Sequence, residues 1–101
     1  MTNNINITIT LYEDKSNIHW EELETVHTFA MVGYESTKEF AEWLADVMTE
    51  LAQNNGVDMV NYDLQNYLVR LEVFGLDATP KMFIELKNYG IMFEITKTAR
   101  N

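Results

Sequence analysis

The segment from Ser36 to Gly56 constrains the fold most, because its apolar residues repeat with the period of an α-helix. Spacings of three and four residues place them on one helix face, so we expect this face to be buried. Ser36 and Glu39 predict a capping box at the helix start, and Gly56 predicts a left-handed stop. The apolar stripe consists of Phe40, Trp43, Leu44, Val47, Met48 and Leu51.

The opposite face of this helix carries four carboxylates at the same spacing. General acid–base catalysis needs a carboxyl group whose pKa is shifted by burial. Because these four carboxylates lie on the outward face, we do not expect them to be catalytic. Two interpretations stay open: a solvated helix face, or a row of charges that meets a cationic surface. The candidate partner-binding residues are Glu39, Glu42, Asp46 and Glu50.

The length of 101 residues and the hydrophobic content of 47% predict one folded domain, residues 1–101. The absence of cysteine excludes a disulfide framework, a thiolate metal site and a Cys nucleophile. The polar N-terminus and the lack of a long apolar run indicate a soluble, cytoplasmic protein.

The formal net charge of −9 is unevenly distributed along the chain. Eleven acidic and two basic residues precede Met59, whereas five of each follow from there onward. Such a field repels nucleic acids and anionic membranes and favours a basic partner, most obviously the basic surface of a nucleic-acid-binding protein. Solubility alone is the other explanation.

Alternating apolar residues predict the first and last strands, 5–12 and 91–96. Residues 13–17 read as a turn, with Asn17 capping a short helical turn through Trp20 and Leu23, and 25–34 read as a second strand.

The stretch 59–74 alternates as one bent strand or a hairpin. Thr79 and Pro80 then predict a second helix that ends at Gly90. Its buried edge is expected to consist of Met82, Phe83 and Leu86.

This order of elements predicts an α+β fold: a mainly antiparallel sheet of four to five strands, with two helices packed on one face. Two histidines, His19 and His27, lack metal-ligand spacing, so we expect neither a metal site nor a cofactor. No phosphate-binding or common hydrolase motif occurs.

Between Thr28 and Tyr89 the chain resembles the pterin-4a-carbinolamine dehydratase family. The likeness lies in the helix from Phe40 to Ala52, a strand region beginning near Tyr62, and the sequence LeuAspAlaThr at 76–79 before a final helix. The resemblance implies that this chain has the fold of that family and forms a homodimer through a sheet edge or a helix face. The family's HisHisPro motif is replaced here by Asn54, Asn55 and Gly56.

A further histidine of that family, near the end of the following strand, is also missing, because Glu72, Val73 and Phe74 stand there. Asparagine can bind a pterin through hydrogen bonds but cannot relay protons at neutral pH. Asn54 and Asn55 are therefore candidate ligand-binding residues rather than catalytic ones.

Our first hypothesis is a non-enzymatic acidic binding protein. Its size and charge are similar to those of inhibitors encoded by phages and mobile elements, including anti-CRISPR and DNA-mimic proteins. The alternative is a divergent pterin dehydratase-like protein, either an enzyme or a cofactor-binding relic.

Overall fold

The computed structural model describes residues 4–15, 19–31, 37–76 and 79–100. They form a four-stranded antiparallel sheet with two α-helices on one face, which confirms the expected α+β class. The strands are β1 (Asn4–Asp14), β2 (Trp20–Met31), β3 (Lys81–Leu86) and β4 (Ile91–Arg100), and the helices are α1 (Thr37–Asn54) and α2 (Leu68–Leu76). A 3-10 helix, Asn61–Tyr67, leads into α2, and a 3-10 turn, Lys87–Tyr89, joins β3 to β4.

Two hairpins make the sheet, whose strand order is β2-β1-β4-β3. The central strands β1 and β4 come from opposite ends of the chain and pair Ile9 with Ile95 and Leu11 with Phe93. All four of these side chains are fully buried. Both helices lie in the connection between the two hairpins, so they cover the sheet face on which these residues meet.

The other sheet face carries a polar network between strands. Thr10 and Thr25 share a hydrogen bond of 3.0 Å between their hydroxyl oxygens. The Tyr12 hydroxyl donates to Oε1 of Glu94 at 2.7 Å, and the Lys81 ammonium lies 3.0 Å from Oε2 of Glu94. The alternation predicted for β1 is confirmed, since its apolar residues face the helices and its polar residues join this network.

Helix α1 confirms the clearest expectation from the sequence, but the buried face is rotated from the expected stripe. Trp43 and Val47 are only partly buried, at the margin of the core. The small residues Ala41, Ala45 and Ala52 are fully buried and bring the helix close to its neighbours.

The expected helical turn through Trp20 and Leu23 is wrong, because both residues belong to β2. The pairing register with β1 shifts between Leu11 and Tyr12, so Leu23 is an extra residue in β2. This bulge reverses the alternation and turns both Leu23 and Val26 toward the core. The spacing of three residues between Trp20 and Leu23 therefore belongs to a bulged strand and not to a helical turn.

The strand expected over 59–74 is also wrong, because the 3-10 helix and α2 occupy most of it. The second helix expected from Thr79 is wrong in turn, because Lys81–Leu86 forms strand β3. In that strand Ile84 and Leu86 are buried, whereas Phe83 points away from the core with 47% of its surface exposed.

Gly56 has a φ of +79° just after α1, which confirms the left-handed stop. Gly90 is left-handed as well, with a φ of +64°, but it follows the 3-10 turn between β3 and β4. The caps expected at Ser36 and Asn17, and the end of the strand expected to reach residue 34, lie outside the described residues.

Candidate functional site

The acidic ridge is the group Glu39, Glu42, Asp46 and Glu50. All four side chains are exposed along the face of α1 that points away from the core. From residue 39 to residue 50 the ridge spans about 16 Å, at about 1.5 Å of rise per residue. The exposure expected from the sequence is thus found, while the role of these residues in binding stays a prediction.

The charge along α1 is almost entirely negative. Lys38 is the one cation of its sequence, and its last turn contains no basic residue. The last carbonyl groups of a helix carry a partial negative charge, which a lysine or arginine there would offset. No basic side chain in the last turn of α1 therefore offsets this partial negative charge.

Asn55 brings one more carboxylate to this end of α1. Its side-chain nitrogen donates to the Leu51 carbonyl at 2.9 Å and to Oε1 of Glu24 at 2.7 Å. The first bond satisfies a carbonyl group at the helix end, and the second ties α1 to β2. As a result, the exposed Glu24 extends the acidic surface beyond Glu50.

Asn54 and Asn55 occupy different environments. Asn54 is exposed in the last turn of α1, whereas Asn55 is half-buried and uses both amide hydrogens within the chain. Their role as ligand-binding residues stays a prediction.

The ridge adjoins a cleft through one hydrogen bond. The side-chain nitrogen of Asn61 donates to Oδ1 of Asp46, in the middle of the ridge. Asn61 is the first residue of the 3-10 helix, and Tyr62 follows it with 79% of its surface exposed. A partner on the ridge would therefore also meet the start of this 3-10 helix.

The cleft lies between the 3-10 helix and the turn that joins β3 to β4, with a volume of about 470 Å³. Tyr62, Tyr67 and Tyr89 contribute aromatic rings to its lining. The charged residues of the lining are two carboxylates and one lysine, Asp63, Glu85 and Lys87. One oxygen of Asp63, Oδ2, accepts hydrogen bonds from the Val60 backbone N–H at 2.8 Å and from the Tyr89 hydroxyl at 2.9 Å. Asp63 is thereby fixed in the wall of the cleft.

The pKa of Tyr89 responds to two carboxylates, Asp63 in the cleft lining and Asp58. Its hydrogen bond to Asp63 raises the pKa of Tyr89, and burial together with the negative charges of Asp63 and Asp58 raises this pKa further. Aromatic faces and carboxylates both attract organic cations such as the side chains of lysine and arginine.

The cleft was not anticipated from the sequence, because the strand expected over 59–74 separates the residues that the 3-10 helix brings together. A usable signal was present in Asp63, three residues after Val60. A carboxylate at that position reaches back to an N–H at a helix start, as Asp63 does here.

The two histidines are not gathered into a metal site. His27 Nδ1 shares a hydrogen bond of 3.1 Å with Thr8 Oγ1 on the open sheet face, and His19 is exposed. In the described parts of the chain, no three His, Asp or Glu side chains are grouped to hold a metal ion. No helix in these parts has the length and apolar character needed to cross a membrane.

No protein-family model, curated protein or solved structure matches this chain. The resemblance to the pterin-4a-carbinolamine dehydratases included a strand beginning near Tyr62 and a final helix after Thr79. Both expectations are wrong, because the region from Tyr62 is helical and the segment after Thr79 is a strand. The resemblance to that family stays a prediction.

Proposed function

We propose that this chain is a small, acidic, non-enzymatic binding protein that occludes a basic surface of a nucleic-acid-binding protein. The acidic ridge of α1 is the contact surface in this proposal. The observation that carries it is the exposure of all four ridge carboxylates on one face of a helix with a single lysine in its sequence.

The distribution of cations supports the same conclusion. Four described cations make contacts within the chain at positions outside α1, so they do not neutralise the ridge through those contacts. Lys15 bridges Glu13 at 2.8 Å, Lys81 bridges Glu94 at 3.0 Å, Arg70 donates to the Phe83 carbonyl at 3.2 Å, and Lys97 donates to the Phe74 carbonyl. A basic partner would meet a helix face that carries four carboxylates, on a helix with one lysine in its sequence.

Charge density limits the size of the surface that the ridge can cover. Duplex DNA carries one charge per about 1.7 Å of axis, hence about nine charges over the length of the ridge. The ridge offers four carboxylates over that length. It therefore replaces part of a bound nucleic acid, as an inhibitor of the anti-CRISPR or DNA-mimic type would, rather than a full turn of duplex.

The cleft gives this contact an anchor. A lysine or arginine side chain of the partner would enter between the tyrosine rings and reach Asp63, while neighbouring basic residues lie along the ridge. Binding energy usually concentrates in a few residues that fill such pockets. The ridge would accordingly govern association, and the cleft would govern dissociation.

Affinity capture from the native host, followed by identification of the captured protein, tests the proposal. The partner should bind nucleic acid, and this chain should displace nucleic acid from it in a competition assay. Binding should weaken as salt shortens the Debye length to about 8 Å and below. A captured partner without a basic surface, or turnover of a pterin-4a-carbinolamine above the buffer rate, would contradict the proposal.

A further inference from the structure

The two edges of the sheet differ in how far their backbone groups are occupied. One edge is β3, where the Arg70 guanidinium donates to the Phe83 carbonyl at 3.2 Å. The Tyr67 hydroxyl donates to the Glu85 carbonyl of the same strand at 3.3 Å. The other edge is β2, which has twelve residues against the six of β3. In the part of the chain that the structure describes, only β1 pairs with β2, and no side chain bonds to the backbone of β2. An uncovered edge of this length is a template for a further strand.

The pairing pattern identifies the outward backbone groups of β2. The Lys15 N–H donates to the His19 carbonyl at 2.9 Å, on the β2 side of β1, and the Asp14 N–H donates to the Gly90 carbonyl at 2.8 Å, on the β4 side. Successive residues of a strand direct their backbone groups to opposite sides, so odd-numbered residues of β1 bond to β2 and even-numbered residues bond to β4. The residues of β2 that lie opposite the even-numbered residues therefore point away from β1. These are Thr25, His27 and Phe29, opposite Thr10, Thr8 and Asn6.

This outward row can accept a short strand. Its three residues present three N–H and three C=O groups over residues 25–29, about 17 Å of extended chain. The side chains of His27 and Phe29 are exposed, and Phe29 leaves 56% of its surface uncovered. The bulge at Leu23 interrupts the regular edge just before the row. A partner segment of about five residues would fit the row.

The charge of β2 selects the kind of segment. The strand contains three glutamates and neither lysine nor arginine. Glu24 directly precedes the outward row, and it lies on the helix side of the sheet, where its carboxylate accepts the hydrogen bond from Asn55. Phe29 lies on the open face. Side chains of an added strand alternate between these two faces, so basic residues would reach Glu24 while apolar residues contact Phe29. A second copy of this chain, with a net charge of −9, lacks the required charge.

We propose that the β2 edge binds an extended, basic segment of the partner by strand addition along residues 25–29. Backbone hydrogen bonds provide the affinity in this mode of recognition, and the alternating side chains provide the specificity. The inference rests on the proposed function for the basic character of the partner, and it adds a contact that depends on backbone pairing as well as charge.

A synthetic peptide tests this proposal without the partner. The probe is a peptide of about nine residues that alternates lysine with valine, long enough to pair along the whole outward row. Its control has the same sequence with N-methyl groups on two adjacent central residues. The control keeps every side chain and charge but loses an N–H donor on each edge of the extended peptide. In calorimetric titration the probe should bind at least about tenfold more tightly than the control.

Hydrogen exchange locates the contact. Saturation with the probe should slow the exchange of the Thr25, His27 and Phe29 amides by about tenfold or more, because the added strand accepts their hydrogen bonds. The amides of Phe83 and Glu85, at the other edge of the sheet, should exchange as before.

Two substitutions at one position provide a matched pair. His27→Pro removes an outward N–H and leaves the bonds between β2 and β1 in place, because proline is tolerated on an edge strand where the N–H faces solvent. His27→Ala removes the same imidazole and keeps the N–H. The proline variant should bind the probe about tenfold more weakly than the alanine variant. The two peptide experiments use the wild-type chain, so they decide the proposal whether or not His27→Pro folds.

Equal affinities for the probe and its N-methylated control would overturn the proposal, because charge alone would then account for binding. Equal binding by the two His27 variants, protection at Phe83 and Glu85 instead of β2, or no binding of the probe at about 1 mM would overturn it as well. So would self-association of the chain that protects the β2 amides before any peptide is added. None of these results bears on the acidic ridge, because both peptides carry the same charge. Conversely, a captured partner that ignores neutralisation of the ridge would contradict the proposed function and leave the peptide results standing.

Discussion

Gly75 in α2 lies directly against the ring of Phe40 in α1. A Cβ atom at position 75 would sit 2.7 Å from both Cδ2 and Cε2 of that ring, closer than carbon atoms can approach. Glycine lowers helix propensity by about 1 kcal/mol relative to alanine, so its presence inside α2 has a packing reason. The missing side chain allows α2 to contact α1 closely.

Gly75→Ala should therefore destabilise the protein. Overpacking at the Phe40 ring should outweigh the gain in helix propensity and lower the free energy of unfolding by about 1–2 kcal/mol. Urea denaturation measures the change. In a Phe40→Leu background, where the ring is absent, the same substitution should cost less. A stabilising Gly75→Ala would mean that the helices do not touch here.

Trp43 and its neighbour Leu44 should respond differently to truncation. Leu44 is fully buried, so Leu44→Ala should cost about 2–5 kcal/mol of unfolding free energy. Trp43 is partly buried and packs on Phe40 with a ring-centre distance of 6.0 Å. Trp43→Ala should therefore cost about 2 kcal/mol, below the range of about 3–5 for a fully buried aromatic residue. Equal losses in chemical denaturation would place Trp43 inside the core.

The network on the open sheet face makes stability depend on pH. Hydrogen bonds from Tyr12 and Lys81 lower the pKa of Glu94 below its ordinary value of 4.5. Ionised Glu94 therefore stabilises the fold above about pH 4.5, and this contribution is lost as the pH falls through the folded pKa. Unfolding free energies measured from pH 6 down to pH 3 should fall more steeply for the wild type than for Glu94→Gln.

Tyr12 should show the corresponding effect in base. Its hydrogen bond to Glu94 raises the pKa of Tyr12 above 10.0, with further contributions from burial and from the charges of Glu94 and Glu22. Its stabilising effect is present below about pH 10 and is lost as the pH rises through the folded pKa. Tyr12→Phe should flatten that alkaline limb. Parallel curves for wild type and both variants would show that the network contributes nothing.

The two asparagines after the ridge provide a matched pair. Asn55→Ala removes hydrogen bonds to Leu51 and Glu24 and should lower the free energy of unfolding by about 1–2 kcal/mol. Asn54→Ala, at an exposed position, should change it by less than about 0.5 kcal/mol. Thermal denaturation separates the two. Equal effects would contradict the structural role of Asn55.

The sequence was most informative where a single period dominates. Helix α1 and strand β1 were predicted correctly because each has one apolar face and one polar face. Only one type of secondary structure then buries all of the apolar residues together. Exposure of the acidic ridge followed from the same pattern. The fold class was also correct, although the second helix was assigned to the wrong segment.

The errors arose where exposed apolar residues disturb the pattern. In α2 the solvent-facing Val69 and Val73 stand two residues on either side of Leu71, as on one apolar face of a strand. The helical face of Leu71 and Phe74 becomes decisive only once α1 packs against it. In β3 the exposed Phe83 completed a helix-like spacing with Met82 and Leu86. Tertiary packing determined both segments. It also formed the cleft, for which the local sequence signals only the helix start at Asp63.

Binding of the captured partner to two charge-matched variants tests the role of the acidic ridge most directly. One variant neutralises the ridge with Glu42→Gln, Asp46→Asn and Glu50→Gln, and the other carries Glu13→Gln, Glu21→Gln and Glu22→Gln at the end of the β1–β2 hairpin. Each removes three negative charges at solvent-accessible positions, so net charge alone cannot separate them. We predict that ridge neutralisation weakens binding by about tenfold or more at physiological salt, mainly through slower association, while the other variant stays close to wild type. Equal affinities for both variants would show that the ridge is only a solvated helix face.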